Sequence, residues 1–172
     1  ILYAPYLEGK SQDDMYQIAQ EIIFNASQNA FSRCAQTLFL DFNIHTGVPS
    51  YLENVPAIGP GGKYMLMKED GTKVPVEYRN IGRIEETGNP LMELYIVEDG
   101  EERVLLREED NGKGHIYYNH KIEEELKSRG EKVVTYGDYA DIAREFTRAL
   151  LRVWKDGDKN GRVFEFPKCD FH

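Results

Sequence analysis

The middle of the sequence carries two β-hairpin signals that set it apart from the segments on either side. In "KYMLMKEDGTKVPVEY" two runs flank Asp70-Gly71, and in "LMELYIVEDGEERVLLRE" two further runs flank Asp99-Gly100. Asp-Gly between such runs is typical of a tight hairpin turn, because the turn needs positive φ angles. Residues 64–134 are therefore predicted to form a small, highly charged, β-rich module. Within it we also expect a strand at 115–119 and a short helix at 121–130 that ends in glycine.

Helix and strand patterns of a different kind lie on both sides of this module. Apolar residues at helical spacing predict one helix over 11–34 and another over 138–155. A strand is expected over 37–45, "TLFLDFNIH", where apolar residues occur on both faces, as in the interior sheet of an α/β fold. A second strand is expected over 162–172, broken by Pro167.

The order helix, strand, helix, strand around the module is typical of α/β architecture. We predict an α/β fold, α+β over the whole chain, in which 1–63 and 135–172 form helix–strand units and 64–134 interrupts them. Residues 46–63 contain three prolines and four glycines, so neither a helix nor a strand is expected there. So long an ordered loop in a small domain usually has a functional reason.

The composition limits which binding partners and which cellular compartment are expected. The sequence has a net charge of −9, which repels phosphate backbones, so nucleic acid is not an expected partner. Its apolar runs are only a few residues long, so no membrane span and no signal peptide are predicted. The two cysteines lie far apart without CxxC spacing, which favours a reducing cytoplasm over a disulfide framework. A surface rich in Glu and Lys, with few Gln, fits a thermophile.

Polar residues gather around the start of the first predicted strand. Buried polar side chains need partners, which would be substrate or phosphate, or else the neighbouring loop. Cys34, at the junction of helix and strand, is a candidate catalytic or redox thiol, since a neighbouring arginine stabilises a thiolate; a buried structural cysteine is the alternative. The candidate substrate-binding residues are Arg33, Gln36, Asp41 and Asn43.

Three further groups of residues match the spacing of a metal or phosphate site only in part. Cys169, a second candidate thiol, forms a CxxH half-site with His172, but two ligands do not make a zinc site and no metal is predicted. The segment "GPGGK", residues 59–63, suggests a phosphate loop but lacks the full spacing and the following Ser or Thr, which favours a flexible hinge. The histidines without ligand spacing are His45, His115 and His120.

Two long segments resemble the anaerobic, oxygen-sensitive (class III) ribonucleoside-triphosphate reductases. They are "AFSRCAQTLFLDFNIHTGVPSYLENVPAIGPGGKY" and "TYGDYADIAREFTRALLRVWKDGDKNGRVFEFPK". The similarity is to the catalytic subunit in its archaeal form and covers about 1–63 and 135–172, with 64–134 inserted between them. It implies that the chain forms part of the ten-stranded α/β barrel shared by glycyl-radical enzymes.

The resemblance also implies a reaction for the full enzyme. A glycyl radical oxidises a cysteine on a finger loop, the thiyl abstracts the ribose 3′-hydrogen, and the 2′-hydroxyl is lost with formate as a common reductant. A separate iron–sulfur activase uses S-adenosylmethionine to make the radical, and ATP or deoxynucleotides regulate the enzyme. No cofactor is expected in this chain itself. The expected partners are a ribonucleoside triphosphate and either the remainder of the catalytic subunit or a second copy.

The sequence departs from the family pattern at two points. Cys34 and Ala35 stand where the family has two glycines, which narrows the backbone conformations available. The sequence also reaches His172 before the family's thiyl cysteine, radical glycine and zinc cysteines, so we expect the isolated chain to be catalytically incomplete. The alternative is a stand-alone, non-catalytic reductase relative that acts as a binding or interaction module. A regulatory or recruiting role for residues 64–134 is a third possibility.

Overall fold

The computed structural model shows a mixed helix and sheet protein that forms two compact units. The units are residues 1–55 with 136–172, and residues 56–135. The second unit begins at residue 56 rather than at the expected position 64, and its role as an insertion in a barrel stays a prediction. The residues that the structure describes are 1–28, 30–31, 36–37, 40–110, 120–164 and 167–171.

The elements of the described residues are as follows in chain order. The helices are α1 (Gln12–Gln28), α2 (Ser50–Glu53), α3 (His120–Ser128) and α4 (Ala140–Asp156), with 3-10 helices at Ala4–Tyr6, Pro60–Gly62 and Tyr136–Tyr139. The first strands are β1 (Ala30–Phe31), β2 (Gln36–Thr37), β3 (Asp41–Ile44), β4 (Ile58–Gly59), β5 (Lys63–Met67) and β6 (Lys73–Pro75). The others are β7 (Glu77–Arg83), β8 (Pro90–Glu98), β9 (Glu101–Glu109), β10 (Lys132–Val133) and β11 (Lys168–Phe171). No helix of the described part has the length and hydropathy that a membrane span requires.

In the first unit, two long helices pack against each other and against a pair of parallel strands. β3 and β11 pair in parallel, and α4 precedes β11 along the chain, as the crossover between parallel strands requires. This confirms the predicted α/β character, while the described residues form no closed barrel. The shared core consists of Leu7, Met15, Ala19, Ile23, Ile44, Phe146, Ala149, Leu150 and Val153.

Helix α1 begins where the sequence predicted and ends earlier. The Ser11 hydroxyl accepts a hydrogen bond from the Asp14 amide at 3.1 Å, and the Ser11 amide donates to the Asp14 carboxylate at 3.1 Å, so each residue satisfies a donor of the other. The helix ends at Gln28, not at residue 34. Ala30–Phe31 instead pairs antiparallel with β2.

Two other boundaries predicted from the sequence are wrong. Within the strand expected over 37–45, Leu40 and His45 belong to no strand, and the remaining described residues fall in β2 and β3. Leu38 and Phe39 lie outside the described residues. The segment 46–63, expected to contain no helix or strand, contains α2 and β4. Pro49 lies at the N-cap of α2, where a residue without an N–H costs no helical hydrogen bond.

The second unit contains two antiparallel sheets with their own core. β5 pairs with β4, β6 and β10, while β7, β8 and β9 form a three-stranded sheet. The two predicted hairpins are confirmed, with φ of 83° at Gly71 and φ of 51° and 84° at Asp99 and Gly100. The strand predicted at 115–119 lies outside the described residues. At the ends of the unit, Pro56 and Thr135 form an antiparallel bridge. Its core consists of Leu66, Val76, Leu94, Ile96 and Leu126.

A buried carboxylate joins the three strands of the β7–β9 sheet. The Glu93 side chain on the central strand is 3% exposed, although it lies on the face opposite the core. Arg79 Nη2 on β7 and Arg107 Nε on β9 each donate to it at 2.6 Å. These hydrogen bonds, that of Arg79 first, lower the pKa of Glu93 below its ordinary value of 4.5.

Acid should therefore weaken the second unit through Glu93. Because its pKa is lower in the folded state, the stabilisation is complete above pH 4.5 and is lost as the pH falls through the folded-state value. We expect Glu93→Gln to lower the free energy of unfolding at pH 7, because Arg79 and Arg107 each lose a charged partner, although Arg79 keeps Glu102. The stability of this variant should depend less on pH below 4.5. Urea denaturation across this range measures both effects. Glu86→Gln, in the exposed β7–β8 turn, is the control and should match the wild type.

The end of α4 requires a glycine. Gly157 has φ 70° and ψ −160°, a region that side-chain-bearing residues avoid, and its amide donates to the Val153 carbonyl at 3.0 Å. A Cβ at this position would collide with the carbonyl of Arg162. Gly161 has a similar φ of 73° but open space around it.

These two glycines form a matched pair for mutation. Gly157→Ala should destabilise the first unit by about 3 kcal/mol, because strain and collision add, whereas Gly161→Ala should cost about 1 kcal/mol through strain alone. Urea denaturation followed by tryptophan fluorescence measures both. Equal losses for the two variants would contradict the role of the Arg162 contact.

Candidate functional site

The β3–β11 pair has one face covered by helices and one polar face. Ile44 belongs to the helix core, and Phe42 and Cys169 pack against it. Since alternate residues of a strand point to opposite faces, their neighbours point away from the helices. We call these neighbours the polar strand face; they are Asp41, Asn43, Lys168 and Asp170, and all four are exposed.

The register places the four side chains close together. Lys168 lies opposite Asp41, and Asp170 lies opposite Asn43. Paired strands lie about 4.8 Å apart, so one ammonium group, two carboxylates and one amide share a small area. An ammonium group binds phosphate as a point charge, while carboxylate and amide groups bind hydroxyls. Among the described residues, no group of three or more metal-ligating side chains occurs.

The predicted substrate-binding residues have different positions in the structure. Asp41 and Asn43 share the polar strand face and are exposed in the described chain, whereas the sequence pattern predicted an interior strand buried on most of its surface. Both are exposed because, in the described chain, the helices pack only on the opposite face. Gln36 has its backbone in β2, and its side chain is not described. Arg33 and Cys34 lie outside the described residues.

Lys168 and Asp170 were missed by the sequence-based prediction. The signal was present in "KCDF", where polar and apolar residues alternate directly after Pro167. The predicted strand over 162–172 was too long and broken by this proline, so its two faces were not assigned. The observed strand begins at Lys168, and from that start the alternation places Lys168 and Asp170 on one face.

Cys169 has the environment of a packing residue. Its thiol is partly buried against the helix core. Burial, and secondarily the charge of Asp170, raise the pKa of Cys169. A raised pKa lowers the fraction of thiolate, which is the reactive form. His172, its companion in the CxxH motif, lies outside the described residues.

The glycine-rich segment 59–63 is a hairpin turn. It connects β4 to β5, which pair antiparallel, and β5 follows it where a phosphate loop would have a helix. Lys63 Nζ donates to Glu77 Oε1 at 2.6 Å. The segment is therefore an element of the second unit rather than the predicted hinge before the module.

A pocket of about 280 Å³ opens where β3 ends. Ligands of α/β proteins commonly bind at the carboxyl ends of strands, so its position is relevant to function. Asn43 belongs both to this pocket and to the polar strand face. Its apolar lining includes Phe42, Ile44, Leu52, Phe146 and Leu150, and its polar lining includes Asn43, His45, Arg144 and Thr147.

The Cys169 thiol should react slowly with an alkylating reagent at pH 7. In a Cys34→Ser background, we expect its rate to lie roughly tenfold below that of a free cysteine, since burial raises its pKa and limits access. Asp170→Asn should raise the rate slightly, because the negative charge beside the thiol is removed. Mass spectrometry of iodoacetamide-treated protein gives the rates. A rate equal to that in unfolded protein would contradict the packing role.

Comparison with known proteins agrees with the long segments noted in the sequence. The family model described as anaerobic ribonucleoside-triphosphate reductase matches residues 1–172, including 64–134. No curated protein and no solved structure matches the chain significantly. The chain belongs to the anaerobic ribonucleoside-triphosphate reductase family.

Proposed function

We propose that the chain supplies two neighbouring strands of the catalytic α/β barrel of an anaerobic ribonucleotide reductase. We further propose that the polar strand face contributes to the site for the ribonucleoside triphosphate. One observation carries this proposal: β3 and β11 form a parallel pair with helices on one face and four polar side chains on the other.

The open edges of the strand pair support the proposed barrel. Among the described residues, β3 and β11 pair only with each other. Parallel sheets are normally covered on both faces, because their crossover connections place helices there. An edge strand leaves a row of backbone N–H and C=O groups unpaired, so a parallel sheet of only two strands has two such edges. Phe171, at the end of β11, is 62% exposed. Further strands at both edges would complete the hydrogen bonding and place the polar strand face in the barrel interior.

The chemistry of the polar strand face suits a nucleoside triphosphate. Lys168 would bind phosphate oxygens, while Asp41, Asn43 and Asp170 would bind ribose hydroxyls. No residue of this sequence is assigned to the radical steps, so ribonucleotide reduction is proposed for the assembled enzyme. The glycyl radical, its S-adenosylmethionine-dependent activase and the ATP or deoxynucleotide effectors belong to that assembly.

Nucleotide titration of point variants tests the proposed site. Trp154 is the single tryptophan of the sequence, so its fluorescence follows the first unit directly. We expect Lys168→Ala to weaken binding of ATP or CTP roughly ten- to a hundredfold, because a charge-assisted hydrogen bond is lost. Asp41→Asn should weaken it less. Lys159→Ala, an exposed lysine in the turn after α4, is the control. Equal affinities for the Lys168 and Lys159 variants would reject the site.

A further inference from the structure

We infer that Trp154 is a positioning residue for the polar strand face, holding Lys168 beside Asp41; the inference rests on the proposed nucleotide site. Trp154 lies on α4 and contacts β3 and the residue that directly precedes β11. Its indole Nε1 donates a hydrogen bond to the Pro167 carbonyl at 3.0 Å. Its ring meets Phe42 edge-on, with centroids 5.8 Å apart.

The two contacts lie next to the four polar residues in sequence. Pro167 directly precedes Lys168, and Phe42 lies between Asp41 and Asn43. One side chain therefore fixes the start of β11 and the middle of β3 from the helix side of the sheet.

The hydrogen bond gives the buried Pro167 carbonyl a donor just before the strand ladder begins. Pro167 is fully buried, and a proline has no N–H to donate to the strand ladder. The ladder begins one residue later, where the Lys168 amide donates to the Leu40 carbonyl at 3.1 Å. A buried carbonyl without a donor is costly, so the indole N–H favours the backbone position that starts this register.

A slip of the register by one residue would destroy the polar strand face. Because side chains alternate, Lys168 would turn towards the helix core and Cys169 would turn away from it. A strand of only four residues has few ladder bonds to resist such a slip. An anchor outside the ladder therefore determines which side chains face the ligand.

A second aromatic contact supplies the control. The rings of Phe24 on α1 and Phe164 meet edge-on at 4.9 Å, which holds the segment before β11 against α1. This contact stabilises the same unit without a hydrogen bond to the Pro167 carbonyl. Phe24→Leu should therefore destabilise the unit without releasing the start of β11.

The test combines hydrogen exchange with calorimetric nucleotide titration of the full chain, because Trp154→Phe removes the single tryptophan that fluorescence would follow. Trp154→Phe keeps a ring beside Phe42 and removes the donor. We expect the amides of Lys168–Phe171 to exchange roughly tenfold faster while α1 exchanges as in the wild type. Affinity for ATP or CTP should fall roughly threefold or more, because Lys168 is no longer held in place. Phe24→Leu should leave both the β11 exchange and the affinity near wild type.

The outcomes separate this inference from the proposed function. Unchanged β11 exchange in Trp154→Phe, or an equal loss of β11 protection in Phe24→Leu, would overturn the anchoring role. Faster β11 exchange with unchanged affinity would overturn the positioning role. A wild type that binds no nucleotide would reject the proposed function. Faster amide exchange in Trp154→Phe that is confined to β11 would still support the anchoring role of Trp154. If Trp154→Phe does not fold, Trp154→His is measured instead, because it retains a ring N–H. Protection of the β11 amides as in the wild type would then support the inference, and loss of that protection would overturn it.

Discussion

The packing of α1 against α4 is the interaction on which the first unit depends. Met15, Ala19 and Ile23 from one helix meet Phe146 and its neighbours from the other, although the whole second unit lies between them in sequence. Such a non-local contact must offset the entropy of closing a long loop before it stabilises anything. Once formed, it provides the apolar surface on which Ile44 is buried and against which Cys169 packs. The position of both strands therefore follows from the helix pair.

Much of the fold could be predicted because the relevant signals are local. The apolar face of α4 repeats at helical spacing, and Phe146 and Val153 are buried as that spacing requires. Asp99-Gly100 specifies its turn through backbone conformation alone. The end of α1 at Gln28 was harder to predict, because helical spacing continues to Ala30 and only the pairing of β1 with β2 overrides it.

Only half of the candidate site could be predicted, because the other half depends on the pairing of two strands that are distant in sequence. Asp41 and Asn43 can be recognised as polar residues within an apolar strand. Lys168 and Asp170 can be assigned to the site only when the register of β11 beside β3 is known. The burial of Glu93 is likewise invisible in sequence, since it depends on arginines that two neighbouring strands supply. Cross-strand partners are a property of pairing, and pairing is non-local. Features that depend on register are therefore the ones that the sequence left open.

The bridge between Pro56 and Thr135 has a consequence for the history of the chain. In the first unit, the Tyr136 amide donates to the Val55 carbonyl at 3.0 Å, so the points where the chain leaves and re-enters this unit are adjacent. The second unit has its own core and its ends are likewise side by side. A genetic insertion or deletion at this junction would exchange a short turn for a folded domain without stretching the host. Such an exchange would leave the helix pair and its two strands unchanged.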